Sequence, residues 1–238
     1  MIFEVLDGRK QKVLEIIIED YINSAEPVGS KAVKEHHHVD ASPATIRFDM
    51  ADLEKKGYIK KPHTSAGRIP SDKGYRFFID NILEETALSA REAETVKEKL
   101  LNAIKEDLFD MVCSALAQMS GNASVVISSD RNKIMYINGI YRLLRQPEFG
   151  RSERTSDVVE LIEKHNDMIG LLDEYTEEDE DLSIRVGSEN TAKQLKQCSV
   201  ASAKYKDTGI ISVIGPTRMD YKRVSSVLRY FADLLEDI

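Results

Sequence analysis

The chain has 238 residues, 42% hydrophobic and 31% charged, which is enough for two modest domains that each bury a core. No stretch approaches the ~18 apolar residues that span a bilayer, and the N-terminus lacks a basic region followed by an apolar run, which reads as no secretory signal and a cytoplasmic location. The net charge is −8, and the two cysteines, Cys113 and Cys198, read as reduced thiols rather than a disulfide framework.

Val13, Leu14, Ile17, Ile18, Tyr21 and Ile22 fall on one face of a first helix, about Arg9 to Ser24. Glu26-Pro27-Val28-Gly29-Ser30 breaks it, and Ser30 is placed to cap a second short helix holding Ala32, Val33 and Glu35. His36-His37-His38 is no metal site by spacing, because adjacent residues point in different directions; surface or backbone-facing histidines fit better. A third helix starts at Ser42 as N-cap and Pro43 as first residue. Ile46, Met50 and Leu53 recur at i, i+4 and i+7 and should face inward. The opposite face carries Ala44, Thr45, Phe48, Asp52 and Lys55, with Arg47 on its flank. Gly57 stops the helix, Tyr58 to Lys61 reads as a short strand ending at Pro62, and His63-Thr64-Ser65-Ala66-Gly67-Arg68 as a turn-forming tip. Pro70-Ser71 opens a fourth helix with Tyr75, Phe77, Phe78, Ile79 and Ile82. This order predicts a winged helix-turn-helix over residues 1–84.

Between Lys55 and Arg76 lie seven basic residues (Lys55, Lys56, Lys60, Lys61, Arg68, Lys73, Arg76) and one acid, Asp72. On a chain of net charge −8, such a patch is the footprint of a polyanion site. A basic run alone is more often a solvated surface; here it coincides with the helix-and-wing pattern, so double-stranded DNA is the predicted partner. Lys55, Lys60, Lys61, Lys73 and Arg76 are assigned to phosphates, and Thr45, Arg47 and Phe48 to base edges or methyl groups. Phe48 could instead be a core residue. Ser42, His63, Thr64 and Ser65 complete the predicted contact set, with Arg68 at the wing tip reaching into the minor groove.

Residues 85–121 read as a helical linker whose stripe of Val96, Leu100, Ile104, Leu108, Met111 or Val112, Ala115 or Leu116, and Met119 either pairs with a second subunit or packs on the next domain. Residues 122–238 read as an α+β domain around an antiparallel sheet. Its predicted strands are Ala123 to Ser128, Ile134 to Ile140, Leu182 to Val186, Cys198 to Tyr205 and Gly209 to Ile214, with helices at Asp157 to Tyr175 and Asp220 to Glu236. Seven acids in the nine residues from Asp173 to Asp181 read as a solvated loop.

Catalytic motifs are missing: no Gly-rich loop followed by Lys-Ser/Thr, no His-Glu-x-x-His, no Gly-x-Ser-x-Gly and no Cys-x-x-Cys. No enzyme, cofactor or metal is expected. Gly187-Ser188-Glu189-Asn190 reads as a strand-end turn with a capping Ser in preference to a ligand loop.

EPVGSK (from Glu26), SPATIR (from Ser42), MADLE, GYI and PHTSAGRIPSDKGYR together resemble the N-terminal domain of the heat-inducible transcription repressor family HrcA. QPEF at Gln146 to Phe149, GSEN at Gly187 to Asn190 and IGPTRMDY at Ile214 to Tyr221 follow in the family's order. The resemblance implies a repressor of heat-shock or chaperone genes that binds an inverted-repeat operator as a homodimer and is relieved by heat. It also implies a C-terminal GAF-like domain, a chaperonin partner and no membrane. Two departures stand out: this chain has only the turn at Asp130 to Lys133 where the family carries an inserted dimerising segment, and Phe48 where Asn is usual. Two other readings are a regulator that binds a small effector and a protein–protein module with reduced DNA binding.

Overall fold

The computed structural model describes residues 6–37, 39–63, 66–84, 86–101, 107–129, 132–150, 152–177 and 181–237. It divides into two compact units, Met1–Glu84 and Glu85–Ile238.

In the first unit, α1 (Gly8–Ser24) begins where the Asp7 carboxylate accepts from the Lys10 N–H, and ends at Ala25 in the left-handed region. α2 (Ser30–His37) and α3 (Pro43–Lys55) follow, with Ser42 accepting from the Thr45 N–H as α3's cap. Val13, Leu14, Ile17 and Ile18 of α1 are buried as the periodicity predicts, and so are Ile46, Met50 and Leu53 of α3. Ile16 is buried too, whereas Tyr21 and Ile22 are half-buried at the rim. The predicted strand shrinks to β1 (Ile59–Lys60), antiparallel to β2 (Ile69–Pro70), in the register Ile59 to Pro70 and Lys60 to Ile69. α4 (Asp72–Asn81) then buries Tyr75, Phe77 and Phe78, with Tyr58 edge-on to Phe77 at 5.3 Å between ring centres.

Two glycines are dictated by close approach. A Cβ on Gly74 would lie 2.1 Å from the Tyr58 carbonyl oxygen, so α4 packs on the chain leading into β1 only without a side chain there. A Cβ on Gly67 would lie 2.5 Å from the Val28 oxygen, where Val28 and Arg68 exchange two backbone hydrogen bonds of 2.8 and 2.9 Å.

The second unit is built on five antiparallel strands: β3 (Ala123–Ile127), β4 (Met135–Asn138), β5 (Ser183–Val186), β6 (Cys198–Tyr205) and β7 (Gly209–Pro216), in the order β4-β3-β7-β6-β5. The α+β class with an antiparallel sheet is as predicted. Alternation divides the side chains. Ala123, Val125, Ile127, Val200, Ile210 and Ile214 face a core closed by Leu143, Phe149, Val158, Leu161, Met168 and Leu172, from helices α7 (Ile140–Leu144), α8 (Ser152–Glu163), α9 (His165–Tyr175) and a 3-10 turn at Pro147–Phe149. The other face meets α6 (Leu108–Ser120) and α10 (Tyr221–Glu236), as when Ser199 Oγ meets Tyr221 Oη at 2.7 Å.

Several expectations are corrected. Asp157 to Tyr175 is two helices, because Lys164 leaves helical geometry at φ −83°, ψ 74°. Gly139 takes φ 75° and ends β4, so Ile140 starts α7 instead of finishing a strand. Asp173 and Glu174 lie inside α9, and Tyr175 and Thr176 are buried, so the acidic run begins as packed helix; residues 178–180 lie outside the described residues. The proposed linker is no free segment: α5 (Ala90–Leu101) and α6 belong to the second unit, and Val96, Leu100, Leu108, Val112 and Leu116 are buried within this chain, which removes them as a subunit seam. Ile104 lies outside the described residues.

The family motifs turn out to be joints. Arg218 of IGPTRMDY donates to Glu148 and to Gln146 Oε1 (2.7 Å), both from QPEF. In GSEN, Asn190 is fully buried and its Nδ2 lies 2.9 to 3.0 Å from the carbonyl oxygens of Gly187, Leu195 and Cys198. Glu189 closes the turn there, its carboxylate accepting from the Val186 N–H at 2.8 Å. Asn190→Ala leaves these buried carbonyls unpaired, and the expected cost is roughly 2–3 kcal/mol by urea unfolding.

Burial pushes the thiol of Cys113 up to about 11 and that of Cys198 up to about 12. Both therefore stay protonated in the fold at pH 8, and alkylation should wait until the second unit opens. Labelling with a thiol reagent along a temperature ramp checks this, with a jump in rate expected at the melting transition. Glu92 is held down at about 2 from its ordinary 4.5 by the hydrogen bond from Arg223 and a second from Ser89. Its contribution is present above the unfolded value near 4.5 and lost as pH falls toward 2. Glu92→Gln should therefore lower stability at pH 7 and flatten the acid limb of the stability curve between those two values.

Candidate nucleic-acid interface

α3 presents Phe48 at 78% exposure, so the alternative of a core phenylalanine is ruled out. Arg47 beside it is exposed and makes no ion pair among the described residues. Ser42 and Thr45 share a hydrogen bond of 2.9 Å between their hydroxyls at the helix start. Arg47 also lines a cleft of about 360 Å³ with Gly29 and Ser30 at the start of α2, Met50, Lys61 after β1, and Ala66, Gly67 and Arg68. Helix face, helix N-terminus and hairpin thus converge on one cationic recess.

The remaining predicted residues divide by what holds them. Lys55, Lys60, Lys61 and His63 are exposed, the three lysines with no ion pair among the described residues. Thr64 and Ser65 lie outside the described residues. Lys73 is turned onto the protein, donating to the Lys56 carbonyl at 2.9 Å with its ammonium 4.4 Å from the centre of the Tyr58 ring. Arg76 pairs with Asp80 one turn along α4 at 3.1 Å. Arg68 is not at the tip: its side chain, 15% exposed, donates to Glu54 at 2.8 and 2.9 Å while its backbone bonds Val28.

The chain's sequence reading missed what aims α3. The Asp49 side chain, on the buried side of the helix, receives two hydrogen bonds from Arg9, of 2.7 and 3.1 Å. Lys10 binds Asp52 at 3.1 Å and Asp7 at 2.8 Å, which lowers both carboxylates below their ordinary range and raises the lysine. α1 thereby takes up Asp49 and Asp52 of α3 and leaves its other face to Arg47 and Phe48. The signal for this was the pair of acids Asp49 and Asp52, three residues apart on one helix. Glu54 as the partner of Arg68 had no signal in spacing. Of the three histidines, His37 Nε2 meets Asp20 at 2.8 Å; His38 lies outside the described residues.

Comparison with known proteins gives a consistent result. The family model described as HrcA protein C terminal domain matches residues 78–224. The heat-inducible transcription repressor HrcA of Desulforamulus reducens is 30% identical over 328 aligned residues, with 94% of each chain covered. That of Moorella thermoacetica is 29% identical over 335, with 97% of each covered. Both alignments exceed the 238 residues of this chain, so each relative carries residues that this chain lacks. A crystal structure described as a hypothetical protein at 2.2 Å resolution shares the fold, with a TM-score of 0.85 over 98% of both chains at 22% identity. On the matched domain and the near-complete match to these relatives, the chain belongs to the family of heat-inducible transcription repressors HrcA.

Proposed function

We propose that the first unit is a winged helix-turn-helix that binds operator DNA, with α3 in the major groove and the segment between β1 and β2 as the wing. The chain then acts as a cytoplasmic repressor of heat-shock or chaperone genes, released by heat, with a GAF-like second unit. The observation that carries this is the exposed Arg47–Phe48 face opening onto the same cationic cleft as Lys61. A groove-reading helix contacts base edges from its N-terminal turns, where Thr45, Arg47 and Phe48 sit. Arg47 is suited to guanine and Phe48 to a thymine methyl. Lys55, Lys60, Lys61 and His63 line up for phosphates, and the amide groups at the start of α2 add a further anion contact. Arg68 takes a positioning role instead of a groove contact, clamping the wing to Glu54 of α3. Lys73 and Arg76, both already engaged, are set aside as primary contacts.

An inverted-repeat operator needs two copies related by a two-fold axis. The chaperonin partner rests on the family resemblance alone. Gel shift against duplex DNA across a salt series tests the reading. Affinity should fall steeply with salt, and an affinity indifferent to salt would refute it.

A further inference from the structure

β4 lies at the edge of the five-stranded sheet, paired among the described residues with β3 alone. From Ile134 to Tyr141 the chain reads Ile-Met-Tyr-Ile-Asn-Gly-Ile-Tyr without one charge, in a protein that is 31% charged. Besides Phe48, the exposed large hydrophobic residues among the described residues are Ile134 at 51% and Tyr141 at 52%, and these bracket β4. Tyr141 is held at the surface by Arg142 and Arg145, whose guanidinium carbons lie 5.1 and 5.7 Å from its ring centre. Natural edge strands are ordinarily blunted by charge, and the opposite edge, β5, carries Arg185. β4 has no such guard.

The register says which backbone groups it offers. Ser128 N–H donates to the Ile134 carbonyl at 2.9 Å, so residues 134, 136 and 138 turn their hydrogen-bonding groups toward β3. Those of Met135 and Ile137 point off the edge. We propose that β4 pairs with β4 of a second copy of this chain, antiparallel about a two-fold axis. Met135 of each copy then bonds Ile137 of the other, and the two Tyr136 residues stand opposite one another. Charge argues for a second copy as the occupant. Two chains of net charge −8 repel over most of their surface, yet no acid occurs from Asn132 to Pro147, and Lys133 is already neutralised by Asp173 at 2.6 and 2.7 Å. A neutral antiparallel edge meets its own copy with no like charges opposed.

Directly opposed residues in a non-hydrogen-bonded pair have Cα atoms about 4.5 Å apart, within disulfide reach. The test uses the full chain without DNA. Tyr136→Cys should form a covalent dimer under mild oxidation while Ser183→Cys, on the β5 edge, does not; the native thiols are buried. Light scattering should give twice 26.9 kDa for the unaltered chain. It should give the single-chain mass for Ile137→Pro, which removes the outward N–H, and for the surface change Ile134→Lys, each with unchanged circular dichroism. A monomeric unaltered chain, a folded Ile134→Lys that stays dimeric, or cross-linking at Ser183→Cys and not Tyr136→Cys would overturn the proposal.

Discussion

Replacing Lys60 and Lys61 together by alanine should weaken binding to duplex DNA roughly tenfold or more near 0.1 M salt, and reduce the salt slope by about 2 per protomer. Both lysines are exposed, with no ion pair among the described residues, so their loss leaves no buried charge behind. The fold should be unaffected, and the loss should be the same for every DNA sequence. Arg47→Ala and Phe48→Ala should behave differently. Each should cost about 1–3 kcal/mol on the preferred sequence and far less on unrelated DNA, because base contacts carry discrimination and phosphate contacts do not. Lys73→Ala supplies the contrast: its ammonium already lies over Tyr58 and on the Lys56 carbonyl, so its change in salt slope should be small. Fluorescence anisotropy over a salt series separates the three classes.

Gly74→Ala should lower the temperature at which the repressor releases DNA. The added methyl would stand 2.1 Å from the Tyr58 oxygen, which is backbone, so α4 must move off the chain that leads into β1. Overpacking of this kind costs about 1–3 kcal/mol. For a unit of this size each kcal/mol shifts Tm by ~4–8 °C, so a fall of roughly 10 °C is expected by calorimetry. Operator release should shift by a similar amount, while affinity well below the transition stays near that of the unaltered chain. Equal stability of variant and parent would show that the seating of α4 on the Tyr58 segment is not the weak point on heating.

Most of the architecture was legible because its signals are local. Ser42 and Pro43 mark a helix start wherever they precede an apolar period, and Ile46, Met50 and Leu53 repeat at helical spacing, so α3 and its buried face followed directly. The cationic stretch was legible as composition. Its division into outward and tethered charges was not, because Arg68 and Glu54, or Lys73 and Tyr58, meet only after the hairpin closes. Charge patterning along the chain treats Lys61 and Lys73 alike; only packing tells them apart. The Val96–Leu116 stripe shows the same limit. Its period is the same whether it faces a second chain or its own, and its members are buried within their own chain. Asn190 was read as part of a turn, but its burial against three carbonyls comes from a long loop folding over it.

The central claim is that α3 and the wing bind operator DNA and that heating ends the binding by unfolding. The most direct measurement is anisotropy of the full chain on an inverted-repeat duplex selected by the protein itself from a random pool, recorded against salt and then against temperature. The account predicts a plot of log affinity against log salt with a slope of about −4 or steeper, and dissociation that coincides with loss of helical signal. A shallow slope, or a chain that stays fully bound through its own melting transition, would contradict it.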